Sequence, residues 1–458
     1  MKFGGTSVAN CEAITRTISI VADRLAQKPV VVVSALSKVT DLLYRITDCA
    51  GARDREAADG YIDDLAARHT ELAKELLKDS GSCDEACAKV EEICRELRDF
   101  VGAVCSLGEL TDRSRARIIS RGEWLSSTII CYAMNARGIV TRFVDARRMI
   151  VTSDCYMKGE PDMAAIAARV PEIVAEAYSG ADAVITQGFI AATAKGETTV
   201  LGRGGSDYSA SLIGMALDAE RIEIWTDVDG VRTADPRIVP DTKSISRISF
   251  EEAAEMAHFG AKVLHPMTIE PAVMKNIPVY VLNSMNPAGE GTAILQSDRI
   301  EDGVKSVSYK ENILLLNIFS TKMINVSGFL QKVFAIFSLY KVSVDLISTS
   351  EANISLTMDG NQDIDEVVKA LSEFAEVDVD RDKAQISVIG KNIVNLRGLL
   401  KQTMASLKDC NVYMISQGAS FVNISFVVDR SSMKDAVREV HKYLFEDNGY
   451  ESGDQRIR

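Results

Sequence analysis

Three stretches of this sequence bring glycine and charge together. Lys2-Phe3-Gly4-Gly5-Thr6-Ser7 sets two glycines ahead of a helical pattern. Backbone amides at a helix start attract anions, glycine lets a phosphate approach closely, and Lys2 adds a point charge. A Gly-Gly turn alone is more often only a turn, and no GxxxxGK[ST] phosphate loop occurs. Gly202-Arg203-Gly204-Gly205-Ser206-Asp207 is the stronger signal, a second anion loop in which Arg203 can grip a carboxylate with both prongs of its guanidinium. A glycine turn with Ser206 as helix cap explains the same residues, and the two readings are compatible because they use the same amides. Trp225-Thr226-Asp227-Val228-Asp229-Gly230 ends a strand and leads to Thr233-Ala234-Asp235-Pro236-Arg237. Acids and an arginine at the carboxyl end of a buried strand are candidate nucleotide or metal contacts, and Asp-Gly and Asp-Pro turns are the structural alternative.

Lys262 lies at a predicted helix end in Phe259-Gly260-Ala261-Lys262-Val263-Leu264-His265-Pro266. His265 reads as a packed or capping residue. With four histidines in the chain, no Ser-His-Asp or Cys-His arrangement is supported.

The elements that must position these residues alternate. Residues 29–34, 182–190 and 278–282 are apolar runs of the kind buried on both faces of a sheet, and 221–227 alternates more. Helical patterns lie between, at about 8–26, 54–104, 113–137, 161–178, 206–218 and 250–259. Strand, helix, strand in succession predicts an α/β fold with a largely parallel sheet and a ligand site beyond the carboxyl ends of its strands. Residues 53–105 read as a helical insertion or hairpin at a sheet edge, with charges of mixed sign on a solvated face. Cys83, Cys87 and Cys94 fall on one side of that helix, and without a CxxC pair they read as a buried stripe rather than a zinc site.

Composition sets the limits. The 458 residues suggest roughly three domains. The net charge of −13 disfavours a nucleic-acid or anionic-membrane surface, so cations that hold anionic ligands must be gathered locally. No apolar run reaches the ~18 residues of a membrane span, and the first residues lack the core of a signal peptide. Nine scattered cysteines suit reduced thiols in the cytoplasm.

Beyond residue 310 an internal repeat appears. Gly328-Phe329-Leu330 matches Gly398-Leu399-Leu400, and Asn353-Ile354-Ser355 matches Asn423-Ile424-Ser425, both at an offset of 70. Each copy reads strand, Gly-led helix, strand, strand, helix. Asp345 in copy one corresponds to Ile415 in copy two. A strand carboxylate beside a Gly-led helix can bind an amino acid's ammonium group, and a surface aspartate is the plain alternative.

KFGGTSV at 2–8, SRGEWLSS at 120–127, TQGFI at 186–190, GRGGSDYSA at 202–210, WTDVDGVRTADPR at 225–237 and FGAKVLHP at 259–266 follow one another in a familiar order. Together they resemble the aspartokinases of the amino acid kinase superfamily, most closely the monofunctional lysine-sensitive type. The resemblance implies a kinase domain over 1–300, two α+β ACT-type (ferredoxin-like) regulatory domains over 310–381 and 382–446, and a polar tail over 447–458. It implies transfer of the γ-phosphoryl group of ATP, with Mg²⁺, to the β-carboxylate of L-aspartate. Lys2 and the amides of Gly4 and Gly5 would hold the transferring group, with Asp207 orienting Lys2. Ser34, Thr40, Glu123, Phe189, Arg203 and Ser206 would form the aspartate pocket, with Glu123 on the ammonium group. Thr226, Asp227, Arg232, Asp235, Arg237 and Lys262 would contact the nucleotide, Arg232 standing where relatives commonly have a tyrosine. No protein side chain is assigned to the metal. A lysine effector would use Met323, Gly328, Leu330, Val344, Asp345, Thr349, Ser350 and Glu351, with Val326 replacing a polar residue near that pocket. A homodimer through the ACT domains, or a dimer of dimers, in the cytoplasm is the implied assembly.

Overall fold

The computed structural model describes residues 1–259, 266–323 and 327–446. Lys262, His265, Val326 and the tail expected at 447–458 lie outside them. The chain divides into two compact units, Met1–Val231 with Leu264–Gln296, and Arg232–Val263 with Ser297–Arg458.

In the first unit the apolar runs become strands: β1 (Lys2–Phe3), β2 (Val30–Val33), β3 (Thr141–Val144), β4 (Ala183–Gln187), β5 (Ile222–Thr226), β6 (Val279–Asn283) and β7 (Thr292–Leu295). They lie in the order β3-β4-β2-β1-β5-β6-β7. Every pairing is parallel except β6 with β7. Strand β1 has two residues, yet it is central: Lys2 pairs with Val32 on one side and Ile224 on the other. A smaller sheet joins Val151–Thr152, Ile190–Thr193 and Thr198–Val200.

Helices supply the covering layers: α1 (Cys11–Ala22), α2 (Val39–Gly51), α3 (Arg55–Leu77), α4 (Cys83–Leu107), α5 (Asp112–Ile119), α6 (Arg121–Ala136), α7 (Met163–Ala177) and α8 (Gly205–Ala216). The 54–104 pattern is a hairpin broken at 78–82, where Asp79-Ser80-Gly81-Ser82 interrupts the apolar spacing. Leu65 and Leu72 of α3 share one core with Val90 and Leu97 of α4. Cys87 and Cys94 point into that core, as a stripe of small apolar side chains would.

The second unit contains β8 (Gly303–Phe319), β9 (Leu346–Thr349), β10 (Asn353–Asp359), β11 (Glu376–Lys391), β12 (Val412–Gln417) and β13 (Asn423–Asp429) in one sheet, ordered β9-β10-β8-β11-β13-β12. Its helices are α9 (Phe250–His258), α10 (Phe329–Leu339), α11 (Asp365–Ser372), α12 (Leu399–Ser406) and α13 (Met433–Phe445). Gly328 and Gly398 cap α10 and α12 with φ of 87° and 84°, the left-handed backbone glycine adopts freely. The repeat is real, but its copies interlock. The second half of β8 pairs with β10, while its first half, 303–310, pairs with 385–391 of β11. The 381/382 boundary therefore falls inside one continuous strand, and copy two draws its outer strand from before copy one.

Residues 232–263, expected within the kinase domain, belong to this second unit. Ala234, Ile238 and Val239 bury themselves in the core of copy two beside Val437 and Leu444 of α13. Thr233 Oγ1 is 2.9 Å from Nε2 of buried His441.

Candidate active site

Lys2 is almost buried, and its Nζ lies 2.6 Å from Asp207 Oδ1. Residues 2 and 207 are brought together because β1 lies between β2 and β5 while α8 begins at Gly205. The expected cap at Ser206 is corrected by the structure. Gly204 caps α8 with φ of 70° and no side-chain bond, and Ser206 sits inside the first turn. The first intrahelical bond of α8 is Tyr208 N–H to Gly204 O, so the Ser206 and Asp207 amides lie in the unpaired first turn.

The Gly4-Gly5 turn is corrected in one respect. The Gly4 amide donates to Trp225 O at 3.1 Å, which fastens the turn to the end of β5 and makes this amide unavailable to a phosphate. The Gly5 amide has no partner among the described residues. Ser7 Oγ shares a 2.8 Å hydrogen bond with Ser284 Oγ, which also donates to Thr226 O. Ser7 and Ser284 therefore lock the turn to the carboxyl ends of β5 and β6. The sequence held no signal for Ser284, whose partner is 277 positions away.

On the opposite wall Glu123 is 3 % exposed. Gly122 permits this: a β-carbon there would stand 2.8 Å from the Ala35 side chain. Ser126 Oγ donates to Ser34 O at 2.8 Å and holds α6 against the end of β2. Glu123 Oε1 accepts from the Ala35 amide at 3.2 Å, while buried Oε2 has no partner among the described residues. Desolvation pushes the Glu123 carboxyl up to about 8, against the lowering effect of the Ala35 and Glu123 amides. An orphaned carboxylate oxygen in this setting calls for a cation. A lone glutamate on a helix is ordinarily a solvated charge, and the burial of Glu123 excludes that here.

Lys2, Gly5, Ser34, Thr40, Glu123, Phe189, Arg203, Ser206 and Asp207 line one cleft of about 610 Å³. Lys38, Asp41 and Tyr44, which the sequence did not single out, line it too. Phe189 is held at φ of 67°, and its amide donates to Ser209 Oγ at 2.9 Å. Exposed Arg203 has no ion pair among the described residues. In a larger cleft of about 720 Å³ between α4, α5 and α6, Arg121, Arg113 and Arg147 are paired with Glu96, Glu197 and Asp145, and Arg117 lies over the Phe100 ring. Free positive charge facing an orphaned acid is the better ligand site.

Of the nucleotide candidates, Thr226 and Asp227 end β5 in the first unit, with Thr226 Oγ1 3.2 Å from Asp227 Oδ1. Arg232, Asp235 and Arg237 lie in the second unit. Arg232 donates to Thr242, and Asp235 is held by Arg237 and by the Tyr309 hydroxyl at 2.9 Å. The Arg237 hydrogen bonds hold the Asp235 carboxyl down at about 2. Asp235 is thus committed to Arg237 and Tyr309.

The chain matches the amino acid kinase family over residues 1–283, and the ACT domain over 316–374 and again over 386–444. It is 36% identical over 455 residues to lysine-sensitive aspartokinase 3 of Escherichia coli K12, with 97% of this chain and 98% of that protein covered. The chain belongs to the aspartokinases of the amino acid kinase family. Aspartokinase 1, chloroplastic, of Arabidopsis thaliana is also 36% identical, over 97% of this chain and 80% of that protein. Among solved structures, E. coli aspartokinase III in complex with aspartate and ADP (R-state) matches with a TM-score of 0.84 at 33% identity. The same enzyme with lysine and aspartate (T-state) matches at 0.79 and 34%. Both cover 97% of this chain and 99% of theirs. The aspartokinase architecture, a kinase fold followed by ACT domains, is what the motif order and the repeat implied.

Proposed function

We propose that the first unit transfers the γ-phosphoryl group of ATP to the β-carboxylate of L-aspartate, giving 4-phospho-L-aspartate. The observation that carries this reading is the orphaned, buried Glu123 Oε2 in the same cleft as unpaired Arg203 and the Lys2–Asp207 pair. An α-amino acid presents an ammonium group and a carboxylate, which match Glu123 and Arg203. Ser34, Thr40, Phe189 and Ser206 shape the remaining walls.

The acceptor carboxylate is already ionised near neutral pH, so no general base is required. A carboxylate oxygen bonds to the γ-phosphorus as the bond from that phosphorus to the β,γ-bridging oxygen breaks, and ADP keeps the electron pair. Repulsion between two anions is the obstacle. Lys2, the Gly5 amide and the open first turn of α8 supply fixed positive charge where negative charge accumulates. Asp207 keeps the Lys2 ammonium aimed. Thr226 and Asp227 are assigned to the nucleotide side.

Transfer from ATP implies a divalent cation. Among the described residues no three His, Cys, Asp or Glu side chains converge as a cage. Mg²⁺ arriving with the nucleotide would neutralise phosphate charge and lower the repulsion between the two anions, and a cation of this kind needs no more than one or two protein carboxylates beside substrate phosphates.

The second unit is assigned lysine-dependent feedback control, with Asp345 on an effector ammonium group. Gly328 caps α10, Met323 and Val344 are half-buried, and Leu330, Thr349, Ser350 and Glu351 are exposed. A homodimer through the ACT sheets is supported by the exposed apolar side chains Ile347 on β9 and Tyr413 and Ile415 on β12, the two edge strands. No described helix is long and apolar enough to cross a membrane, and nine free cysteines agree with a reducing cytoplasm.

One assay tests the activity. The full chain is given ATP, Mg²⁺ and a single acceptor, and acyl phosphate is trapped with hydroxylamine. Turnover with aspartate, and none with glutamate or N-acetylglutamate, is expected. No hydroxamate with aspartate refutes the reading.

A further inference from the structure

Asp345 is the acid that copy two lacks, and it is not open. Its side chain is 8 % exposed because two other groups cover it. Lys310 Nζ lies 2.6 Å from Asp345 Oδ2 and 2.9 Å from Asp359 Oδ1. His258 Nε2 lies 3.7 Å from Asp345 Oδ1. Lys310 is aimed by a change of register in β8, which falls between Lys310 and Ile313 where the strand passes from one copy to the other. Asn312, within that irregularity, has φ of 60°. Burial opposes the Lys310 charge, but hydrogen bonds and attraction from Asp345 and Asp359 outweigh it and raise its pKa.

His258 ends α9, a helix anchored in both copies. Glu255 Oε2 accepts from Asn423 Nδ2 on β13 at 3.0 Å. Phe259, the next residue, is buried with Ile313, Leu315 and Leu346 of copy one and Met414 and Val427 of copy two. Three residues beyond Phe259 the chain reaches Lys262, a nucleotide candidate.

We propose that Lys310 is a tethered occupant of the regulatory carboxylate: its ammonium holds the position on Asp345 that an effector ammonium takes, and the exchange frees His258 and the end of α9. This rests on the reading of the second unit as lysine-controlled. Lys310 keeps Asp359 as a partner after the exchange, so its charge is not stranded. Effector affinity is thus set by a competition inside the chain. His258 connects that competition to the end of α9. The expected role is an affinity-setting residue, not a catalytic one.

The test uses the full chain, with lysine binding measured by calorimetry and inhibition measured by the hydroxamate assay. Lys310→Gln removes the internal competitor, so the half-inhibitory lysine concentration should fall about tenfold with kcat unchanged. Lys310→Arg keeps the competing charge and should resemble the parent. An unchanged or higher half-inhibitory concentration in Lys310→Gln, with Lys310→Arg normal, overturns the proposal and leaves lysine control standing. A parent chain that neither binds lysine nor responds to it overturns lysine control and the proposal together. His258→Ala should bind lysine at least as tightly as the parent but show a lower maximal inhibition. Full inhibition in that variant overturns the assignment of His258 as the link.

Discussion

Two ion pairs of one composition sit in the two units and face opposite ligands. In the catalytic cleft Lys2 is held by Asp207, with side chains 11 % and 16 % exposed. In the regulatory unit Lys310 holds Asp345, at 16 % and 8 %. Lys2 is the ligand-facing member of the first pair, because its expected visitor is an anion. Asp345 is the proposed ligand-facing member of the second, because its expected visitor carries an ammonium group. In each case the resident partner is an opposite charge 2.6 Å away. The difference lies in what the ligand must do. A phosphoryl group can approach Lys2 while Asp207 stays, since an ammonium has three donors. On the proposed reading, an effector at Asp345 would displace a cation of its own kind. The first arrangement suits positioning, and the second suits a threshold.

The strongest way to break this comparison is to remove the ligand-facing members. Lys2→Ala should lose about 10³ in kcat while remaining folded. Asp345→Asn should leave kcat intact and abolish the lysine response. Activity retained without Lys2 would take it out of the mechanism. Next comes the resident of the catalytic pair. Asp207→Asn should lower kcat about a hundredfold through misaimed Lys2, with the ATP KM little changed. This is opposite in sense to Lys310→Gln, which sharpens a response.

Glu123 offers a pH test of the cleft. Its carboxyl titrates near 8 in the free protein, and only the ionised form pairs with the substrate ammonium. Below that pH aspartate binding must expel a proton, so its KM should rise by up to about tenfold per unit of falling pH, while kcat stays level. Linkage has the opposite sign for the free fold. An acid with a raised pKa loses its stabilising contribution as pH climbs from the ordinary carboxyl value toward 8, so added aspartate should raise Tm more at pH 8.5 than at 6.5. Glu123→Gln should remove the pH dependence and raise the aspartate KM about a hundredfold. A flat KM profile in the parent would reject the assignment.

Smaller effects refine the picture. Ser284→Ala loses the bonds to Ser7 and Thr226, and kcat should drop about fivefold with both KM values unchanged. A purely structural role would move Tm alone. Ile415→Asp adds an acid to the edge strand of copy two at a side chain 41 % exposed. Ile415 opposes Phe426 as Ile347 opposes Leu356, so strand register corrects the 70-residue offset that set Ile415 against Asp345. Tyr413 is the residue beside the Lys383–Asp429 pair. Stability should change by less than about 0.5 kcal/mol. Calorimetry should still find one lysine per chain, because the local ammonium, Lys383, already has Asp380 and Asp429 at 2.7 Å and lies over the Tyr413 ring.

Periodicity carried most of the fold. Runs such as Val30–Val33 and the Gly-led repeats declare themselves through local composition. Residue chemistry pointed to Lys2 and Arg203 and the aspartokinase resemblance to Glu123 and Asp207, and all four line one cleft. What sequence could not show depends on distant partners. The commitment of the Gly4 amide to Trp225 needs the β1–β5 pairing. The burial of Glu123 needs Gly122 to close on Ala35. The packing of 232–250 with copy two has no periodic trace, because its apolar contacts Ala234, Ile238 and Val239 come from an irregular segment. The Ser206 cap was a reasonable local expectation, overridden by the left-handed turn at Gly204.

The shared strand β8 has a consequence for the order in which the chain matures. As it leaves the ribosome, copy one is complete once residues near 383 have emerged, since all its strands lie between 313 and 383. Residues 303–310 must then wait, hydrogen-bonding groups open, until 385–391 arrive and cover them. Copy one is in effect nested inside copy two. A gene fragment cut at the repeat boundary would yield a first copy with a sticky leading edge and a second copy missing its outer strand. Swapping regulatory modules between relatives should therefore be done with 303–446 as one cassette.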